Sequence, residues 1–201
     1  MSKKPAIADD RVRQLLAQEA ARIIVEQGVQ DFRVAKMKAV DRLGMAERGS
    51  LPGNEEIETA VADYLQIFQG DTHSTLLHSQ RSTALAAMEM LSDFSPRLVG
   101  PVLAGTAGEH SAVNLHVFSD SAEQVAMLLQ EGGISYRPFD RRYRSRKGHT
   151  ELYAAFSFEH EGWDIEATVF PYDGLRQAPL SPVDRKPMQR ADIPKVQAML
   201  K

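Results

Sequence analysis

The fold is decided by residues 98–121, which read LVGPVLAGTAGEHSAVNLHVFSDS. The run from Arg97 to Ala104 is rich in β-forming side chains and is predicted to be a strand, followed by a turn at Gly105-Thr106. From Ala112 to Phe118 apolar and polar side chains alternate, which is the period of a strand with one buried face. The alternation assigns three residues to each face: Val113, Leu115 and Val117 to one, and Asn114, His116 and Phe118 to the other. The stretch therefore predicts two strands joined by a glycine turn and a short loop.

The rest of the C-terminal half combines further strand patterns with short helical ones. A helix is expected to open at Asp120 or Ser121 and to end at Gly132-Gly133. The other predicted elements are, in chain order, strands over Ile134 to Phe139, Glu151 to Phe158 and Trp163 to Phe170, and a last helix near Ile193 to Leu200. A tight connection around His160-Glu161-Gly162 makes a hairpin of the two longer strands.

The first 95 residues read instead as successive helices with apolar residues at steps of three and four. Their limits follow from capping residues and glycines: Asp9 or Asp10 to Gly28, Asp31 to Gly44, Asn54 to Gly70, and Asp71 or Thr72 to about Phe94. The sequence thus predicts an α+β fold, with a helical region over 1–95 and a small mixed-sheet α/β domain with a C-terminal tail over 96–201.

Composition excludes several classes of protein. The chain has 201 residues, 43% of them hydrophobic and 25% charged, which is typical of a folded domain. Because it has no cysteine, a disulfide scaffold, a thiolate zinc site and a cysteine nucleophile are excluded. A formal net charge of −3 argues against binding nucleic acid through bulk charge alone. No pattern of a signal peptide or membrane span is found, so we expect a cytoplasmic protein with no membrane partner.

Residues 98–121 resemble the nucleotidyltransferase fold of polymerase-β-like enzymes, in which a strand and a glycine turn precede a strand that carries Asp-x-Asp. The whole chain also resembles a small proteobacterial family of about this length, through its Gly-Thr…His-Ser…Leu-His-x-Phe stretch and its RQAPLSPVD tail. In the nucleotidyltransferase fold, N–H groups of the glycine turn approach a triphosphate, and carboxylates on alternate strand positions hold two Mg²⁺ ions. The resemblance implies that Gly105 and Thr106 contact phosphates and that Asp164 or Glu166 supplies a third carboxylate.

The metal-binding positions depart from the family pattern. Where the family has Asp-x-Asp, this chain has Asn114-Leu115-His116, and the alternate register, Ala112-Val113-Asn114, also lacks a carboxylate pair. Hard cations prefer anionic oxygen ligands, so the sequence predicts an altered or inactive relative. If chemistry is retained, we expect nucleotidyl transfer with Mg²⁺ or Mn²⁺, in which Asp164 and Glu166 form the anionic core and Asn114 and His116 assist.

A basic run from Arg137 to Lys147 offers a second contact with phosphate. Six of its eleven residues are Arg or Lys, and aromatic residues that can stack on bases lie between them. Because the run lies between two predicted strands, we expect an exposed hairpin or loop. The candidate residues for binding a nucleotide or RNA are Arg141, Arg142, Arg144, Arg146 and Lys147. The alternative is a solvated loop in which these residues pair with neighbours such as Asp140 and Glu151.

Two further hypotheses come from the histidines and from the N-terminal helices. His110, His116 and Glu166 have the composition of a two-His-one-carboxylate metal site. Residues 20–45 resemble a helix-turn-helix, although a loop and an acidic helix follow where a recognition helix belongs. The sequence therefore predicts a nucleotidyltransferase-like protein that binds a nucleotide or RNA. The alternatives are a protein–protein adaptor that docks through its helical half, and a DNA-binding regulator.

Overall fold

A computed structural model describes residues 4–45, 51–145 and 148–201, and over these residues it contains six α-helices and one five-stranded sheet. The helices are α1 (Lys4–Gln27), α2 (Phe32–Leu43), α3 (Asn54–Met90), α4 (Gly100–Ala104), α5 (Ala122–Glu131) and α6 (Ile193–Met199). The strands are β1 (Arg97–Val99), β2 (Val113–Phe118), β3 (Tyr136–Arg144), β4 (Thr150–His160) and β5 (Trp163–Phe170). Helices come first and the mixed sheet follows, so the predicted α+β class is confirmed.

The chain divides into two compact units. Unit 1 comprises Met1–Ser74, Thr106–His110 and Pro182–Asp184, and unit 2 comprises Thr75–Gly105, Ser111–Ser181 and Arg185–Lys201. The core of unit 1 consists of buried apolar residues on the first three helices: Leu16, Ala17, Ala20, Ala21, Ile23, Val25, Ala35, Ala39, Val40, Ile57, Val61 and Leu65.

Local capping chemistry sets the ends of the N-terminal helices. The carboxylate of Asp31 accepts hydrogen bonds from the backbone N–H groups of Arg33 and Val34, and Gly44 ends α2 in the left-handed conformation, as predicted. The break expected at Gly70 is also present, because its φ of 19° and ψ of −108° interrupt α3. The expectation that α1 begins at Asp9 or Asp10 was wrong. The helix starts at Lys4, and its second residue is a proline, which suits a first helical turn because that turn needs no N–H donor.

The sheet has the order β1-β2-β5-β4-β3. Strands β2 and β5 are parallel, and every other neighbouring pair is antiparallel. The predicted strand β2 and the hairpin of β4 and β5 are confirmed, but the expectation that β2 has one buried face was wrong, because His116 and Phe118 are buried as well. On one face of the central strands the side chains form a fully buried apolar layer: Val113, Leu115, Ile165, Ala167, Phe156 and Phe158. The opposite face, which we call the polar face, carries Asn114, His116, Phe118, Glu166, Thr168 and Phe170.

Two predicted elements differ from the structure. The strand expected over Arg97 to Ala104 ends at Val99, because Gly100 has a φ of 72° and the following proline begins α4. The basic run, expected to form an exposed hairpin or loop, lies in a hairpin: residues 137–144 belong to β3, which extends beyond the strand expected over Ile134 to Phe139. This strand pairs in register with β4 from Tyr136 to Arg144, so cross-strand contacts order the basic run.

Within the described ranges, no helix combines the length and the apolar character that crossing a bilayer requires.

Candidate functional site

The polar face brings together two of the residues singled out from the sequence. Asn114 on β2 and Glu166 on β5 are partners in the parallel ladder, so their side chains lie side by side. Across the sheet the same row continues through Ser157 on β4 to Arg137 on β3. Side chains from four strands therefore meet at one level of the polar face.

Arg141 connects the two residues. Its Nη1 donates to Asn114 Oδ1 at 2.6 Å and to Glu166 Oε2 at 2.7 Å. The pair with Glu166 is largely shielded from water, since the side chains of Arg141 and Glu166 are 27% and 20% exposed. Charge-assisted hydrogen bonds of this length are among the stronger polar contacts in proteins. The guanidinium therefore holds Asn114 and Glu166 in a fixed arrangement.

The reach of Arg141 shows that the sheet curls around its polar face. Strand β3 lies three strands from β2 in the sheet order. Three strand spacings of 4.7–4.9 Å amount to about 14 Å, which is more than an arginine side chain covers on a flat sheet. Tyr143 spans the same interval, because its hydroxyl lies 3.1 Å from His116 Nε2. The polar face is thus concave and is filled by side chains from β3.

His116 is fully enclosed at the centre of this face, with 0% of its surface exposed. Its Nδ1 accepts a hydrogen bond from Arg190 Nε at 3.2 Å, so Nε2 carries the ring proton and donates to the Tyr143 hydroxyl. Burial, reinforced by the charges of Arg190 and Arg141, holds the pKa of His116 well below its ordinary value of 6.5. The imidazole is therefore neutral, and both of its nitrogens are occupied.

The metal ions that the nucleotidyltransferase resemblance implies do not fit these residues. At the metal position one amide oxygen and one carboxylate are present, and a guanidinium already neutralises the carboxylate. Asp164 lies on the same face but is exposed. Its partner in the backbone register of β4 and β5 is Glu159. No group of three or more His, Asp or Glu residues suited to a metal ion occurs in the part of the chain that the structure describes. The hypothesis of a His110–His116–Glu166 metal site was therefore wrong.

The glycine turn of the sequence analysis lies elsewhere than expected. Gly105 ends α4 rather than a strand, with a φ of 85°. The Thr106 hydroxyl belongs to unit 1 and donates to Glu58 Oε1 at 2.6 Å. The glycine that directly follows β1 is Gly100, where an added Cβ would lie 3.4 Å from Asn114 Nδ2. Sequence reasoning missed Gly100, although the Gly-Pro dipeptide is a recognisable signal for a strand end and a helix start.

The five basic candidates do not form one cluster. Because neighbouring side chains of β3 point to opposite faces, Arg141 lies on the polar face while Arg142 and Arg144 lie on the other. Arg146 and Lys147 are outside the described residues. Arg137, which sequence reasoning did not select, shares the face of Arg141 and is exposed. Arg137 can be found from the sequence if the basic run is treated as a strand, because every second residue of a strand shares a face with Arg141.

Comparisons of this chain with protein-family models, with curated proteins and with solved structures found no match.

Proposed function

We propose that the sheet-containing part of the chain is a nucleotidyltransferase-like module that binds a nucleotide or RNA without metal-dependent catalysis. The observation that carries the proposal is the Arg141 guanidinium, which lies between Asn114 and Glu166 where the resemblance places metal-binding carboxylates. A guanidinium neutralises the carboxylate as a metal would, but it has no open coordination position for an attacking or leaving oxygen.

The capacity to bind rests on the surroundings of that cluster. Arg137 and the N–H groups of Arg141 other than Nη1 supply donors for phosphate on the polar face. Gly100 has no Cβ, so a space of about one methyl group lies between its backbone and the Asn114 side chain. Partly exposed aromatic side chains such as Phe139 and Tyr153 lie on the same face and offer surfaces for a base.

The test is calorimetric titration with the four ribonucleoside triphosphates and a short single-stranded RNA, each with Mg²⁺ and with EDTA. We expect one of these ligands to bind equally well in both buffers. Arg137→Gln and Arg141→Gln should each weaken binding about tenfold, because each removes a charge-assisted contact. The matched control is Arg142→Gln, the next residue of β3 on the opposite face, which should bind as the wild type.

Two outcomes contradict the proposal. Binding that requires Mg²⁺, together with release of pyrophosphate, would identify a live metal-dependent transferase. Loss of binding in Arg142→Gln but not in Arg141→Gln would place the ligand on the other face of β3.

A second candidate function, a protein–protein adaptor, is favoured by one observation in unit 1. Ile67 and Phe68 are neighbours on α3 and are 73% and 68% exposed, which is unusual for large apolar side chains. Affinity capture should then recover a partner with the wild type and with the control Gln66→Ser, but not with Ile67→Ser/Phe68→Ser. Equal capture by all three proteins would exclude docking at this surface.

A further inference from the structure

Three arginines surround the buried His116, and two of them lack a carboxylate. Arg97 is the cross-strand partner of His116 on β1, and Arg190 donates to its Nδ1. Arg141 is paired with Glu166, but no carboxylate lies within 4.0 Å of Arg97 or Arg190 in the residues that the structure describes. Buried charges in proteins are normally paired, so this corner of the polar face has an excess of positive charge.

Arg190 belongs to a C-terminal strap, residues 185–191, that lies along unit 2. The strap is attached at one end by the bridge of Pro187 with Leu180 and at the other by two backbone hydrogen bonds of Ala191 with Leu98, at 2.8 and 2.9 Å. Between these points Arg190 Nη1 donates to Gly174 O at 2.7 Å. Backbone hydrogen bonds of Arg185 and Lys186 with Ser181 and of Met188 with Pro179 also hold the strap, and Arg190 adds side-chain hydrogen bonds to Gly174 and His116.

The environment of Arg190 is incomplete for a guanidinium. Its plane lies over the rings of Phe118 and Phe170, at 5.0 and 5.5 Å from their centroids. Its Nη2 is buried and has no hydrogen-bond partner among residues 4–45, 51–145 and 148–201. Burial, together with the charge of Arg97, lowers the pKa of Arg190 to about 10. A buried donor without an acceptor destabilises the state that contains it, so an alternative state with an acceptor is favoured.

We propose that Arg97 and Arg190 bind the phosphate group of an anionic ligand, and that binding draws the strap away from Phe118 and Phe170. Phosphate oxygens supply the acceptor that Arg190 Nη2 lacks and the negative charge that neither arginine has beside it among the described residues. Because Nη2 is enclosed by protein, the ligand reaches it only when the strap moves. The site involves neither Arg141 nor Glu166, so it does not depend on the nucleotide-binding proposal.

The experiment titrates the full chain with inorganic phosphate, pyrophosphate and ATP, by calorimetry and by hydrogen exchange. We expect at least one of the three to bind, and Arg190→Met to weaken that binding by about tenfold or more. Arg97→Met tests the second arginine independently. Arg176→Met removes an exposed arginine outside the strap and should bind as the wild type. In the wild type, the ligand should accelerate exchange of the Leu98 and Ala191 amides, which join the strap to β1.

The three probes also distinguish a free phosphate anion from the phosphate group of a nucleotide. Binding of inorganic phosphate or pyrophosphate identifies a free anion, and binding of ATP alone identifies a nucleotide; each supports the proposal if Arg190→Met weakens it. Equal affinity of the wild type and Arg190→Met, unchanged exchange at Leu98 and Ala191, or no binding of any probe would overturn it. Nucleotide binding that depends on Arg141 but not on Arg190 would overturn this inference alone and leave the proposed function standing.

Discussion

Asn114 and Glu166 lie opposite one another on parallel strands, and their side-chain oxygens accept hydrogen bonds from a single nitrogen, Nη1 of Arg141. The register of β2 and β5 fixes this relationship, since a shift of one residue would move one side chain to the buried apolar face. The cation at this position is therefore part of the chain itself. Charge balance on the polar face is achieved there without a bound ion, whereas around Arg190 it is not achieved at all.

The contact between Arg141 and Glu166 should contribute measurably to stability. We expect a double-mutant cycle of Arg141→Met and Glu166→Gln to give a coupling energy of about 1 kcal/mol, because the pair is short and mostly shielded from water. Urea unfolding followed by the fluorescence of Trp163, the only tryptophan of the chain, measures it within unit 2. The comparison is the exposed helical pair Arg13 and Asp10 in unit 1, whose unfolding is followed by circular dichroism and whose coupling should be less than about 0.5 kcal/mol. Equal coupling in both pairs would contradict a special role for Arg141.

Replacing the internal cation should create a metal site. In the double variant Asn114→Asp/Arg141→Ser two carboxylates face each other without a guanidinium, and we expect Mn²⁺ to bind with a dissociation constant of about 10⁻³ M. The wild type and Asn114→Asp alone should not bind, because Arg141 still neutralises the cluster. Titration followed by electron paramagnetic resonance distinguishes free from bound Mn²⁺. Binding of Mn²⁺ to the wild type with similar affinity would show that Arg141 does not exclude the metal.

The elements that could be predicted from the sequence are those set by local chemistry. Asp31 and Gly44 limit α2 through contacts within a few residues of the chain, and the alternation along β2 indicates which side chains share a face of the strand. The run from Arg97 to Ala104 was misassigned because Val and Leu suit a strand and a short buried helix equally well. Only the backbone of Gly100, together with the proline after it, decides for the helix.

The candidate site was predicted in part. Asn114, His116 and Glu166 were selected from the sequence, and the structure brings them to one face of neighbouring strands. The period of each strand follows from a local pattern, but the parallel pairing of β2 with β5 joins residues about 50 positions apart and no local pattern indicates it. Arg141 could not be placed among them, since its contact depends on the curl of the whole sheet. Arg190 was not selected at all, because it lies 74 residues from His116 and no periodic pattern links the two.

Acid should destabilise unit 2 through His116. Its pKa is lowered in the folded protein, so the native ring stays neutral, while the unfolded chain binds a proton below the ordinary value of 6.5. The contribution of His116 to stability is therefore fully present above pH 6.5 and is lost as the pH falls below that value, by at most about 1.4 kcal/mol per pH unit. In His116→Gln this part of the slope should disappear. Urea unfolding of the wild type and of His116→Gln at pH 7.5 and 5.0 measures how the free energy of unfolding of each protein changes with pH. The contributions of carboxylates and of the other histidines are the same in both proteins and cancel in the difference. Identical slopes for the two proteins would mean that His116 is protonated in the folded state.

Gly100 and Gly105 provide matched substitutions that test which of the two glycine turns contacts phosphate in the proposed function. Both have left-handed backbones, with φ of 72° and 85°, so alanine should destabilise each by about 1 kcal/mol. An alanine Cβ at 100 would lie 3.4 Å from Asn114 Nδ2, whereas at 105 the nearest atoms, from Arg81 and Leu77, are 3.8 Å away. We therefore expect the added methyl group of Gly100→Ala to fill the space beside Asn114 and to weaken nucleotide binding several-fold, while Gly105→Ala leaves the affinity unchanged. If Gly105→Ala weakens binding in the same calorimetric titration and Gly100→Ala does not, the Gly105-Thr106 turn contacts the phosphate. Backbone strain does not explain such a difference, because it affects the two variants equally.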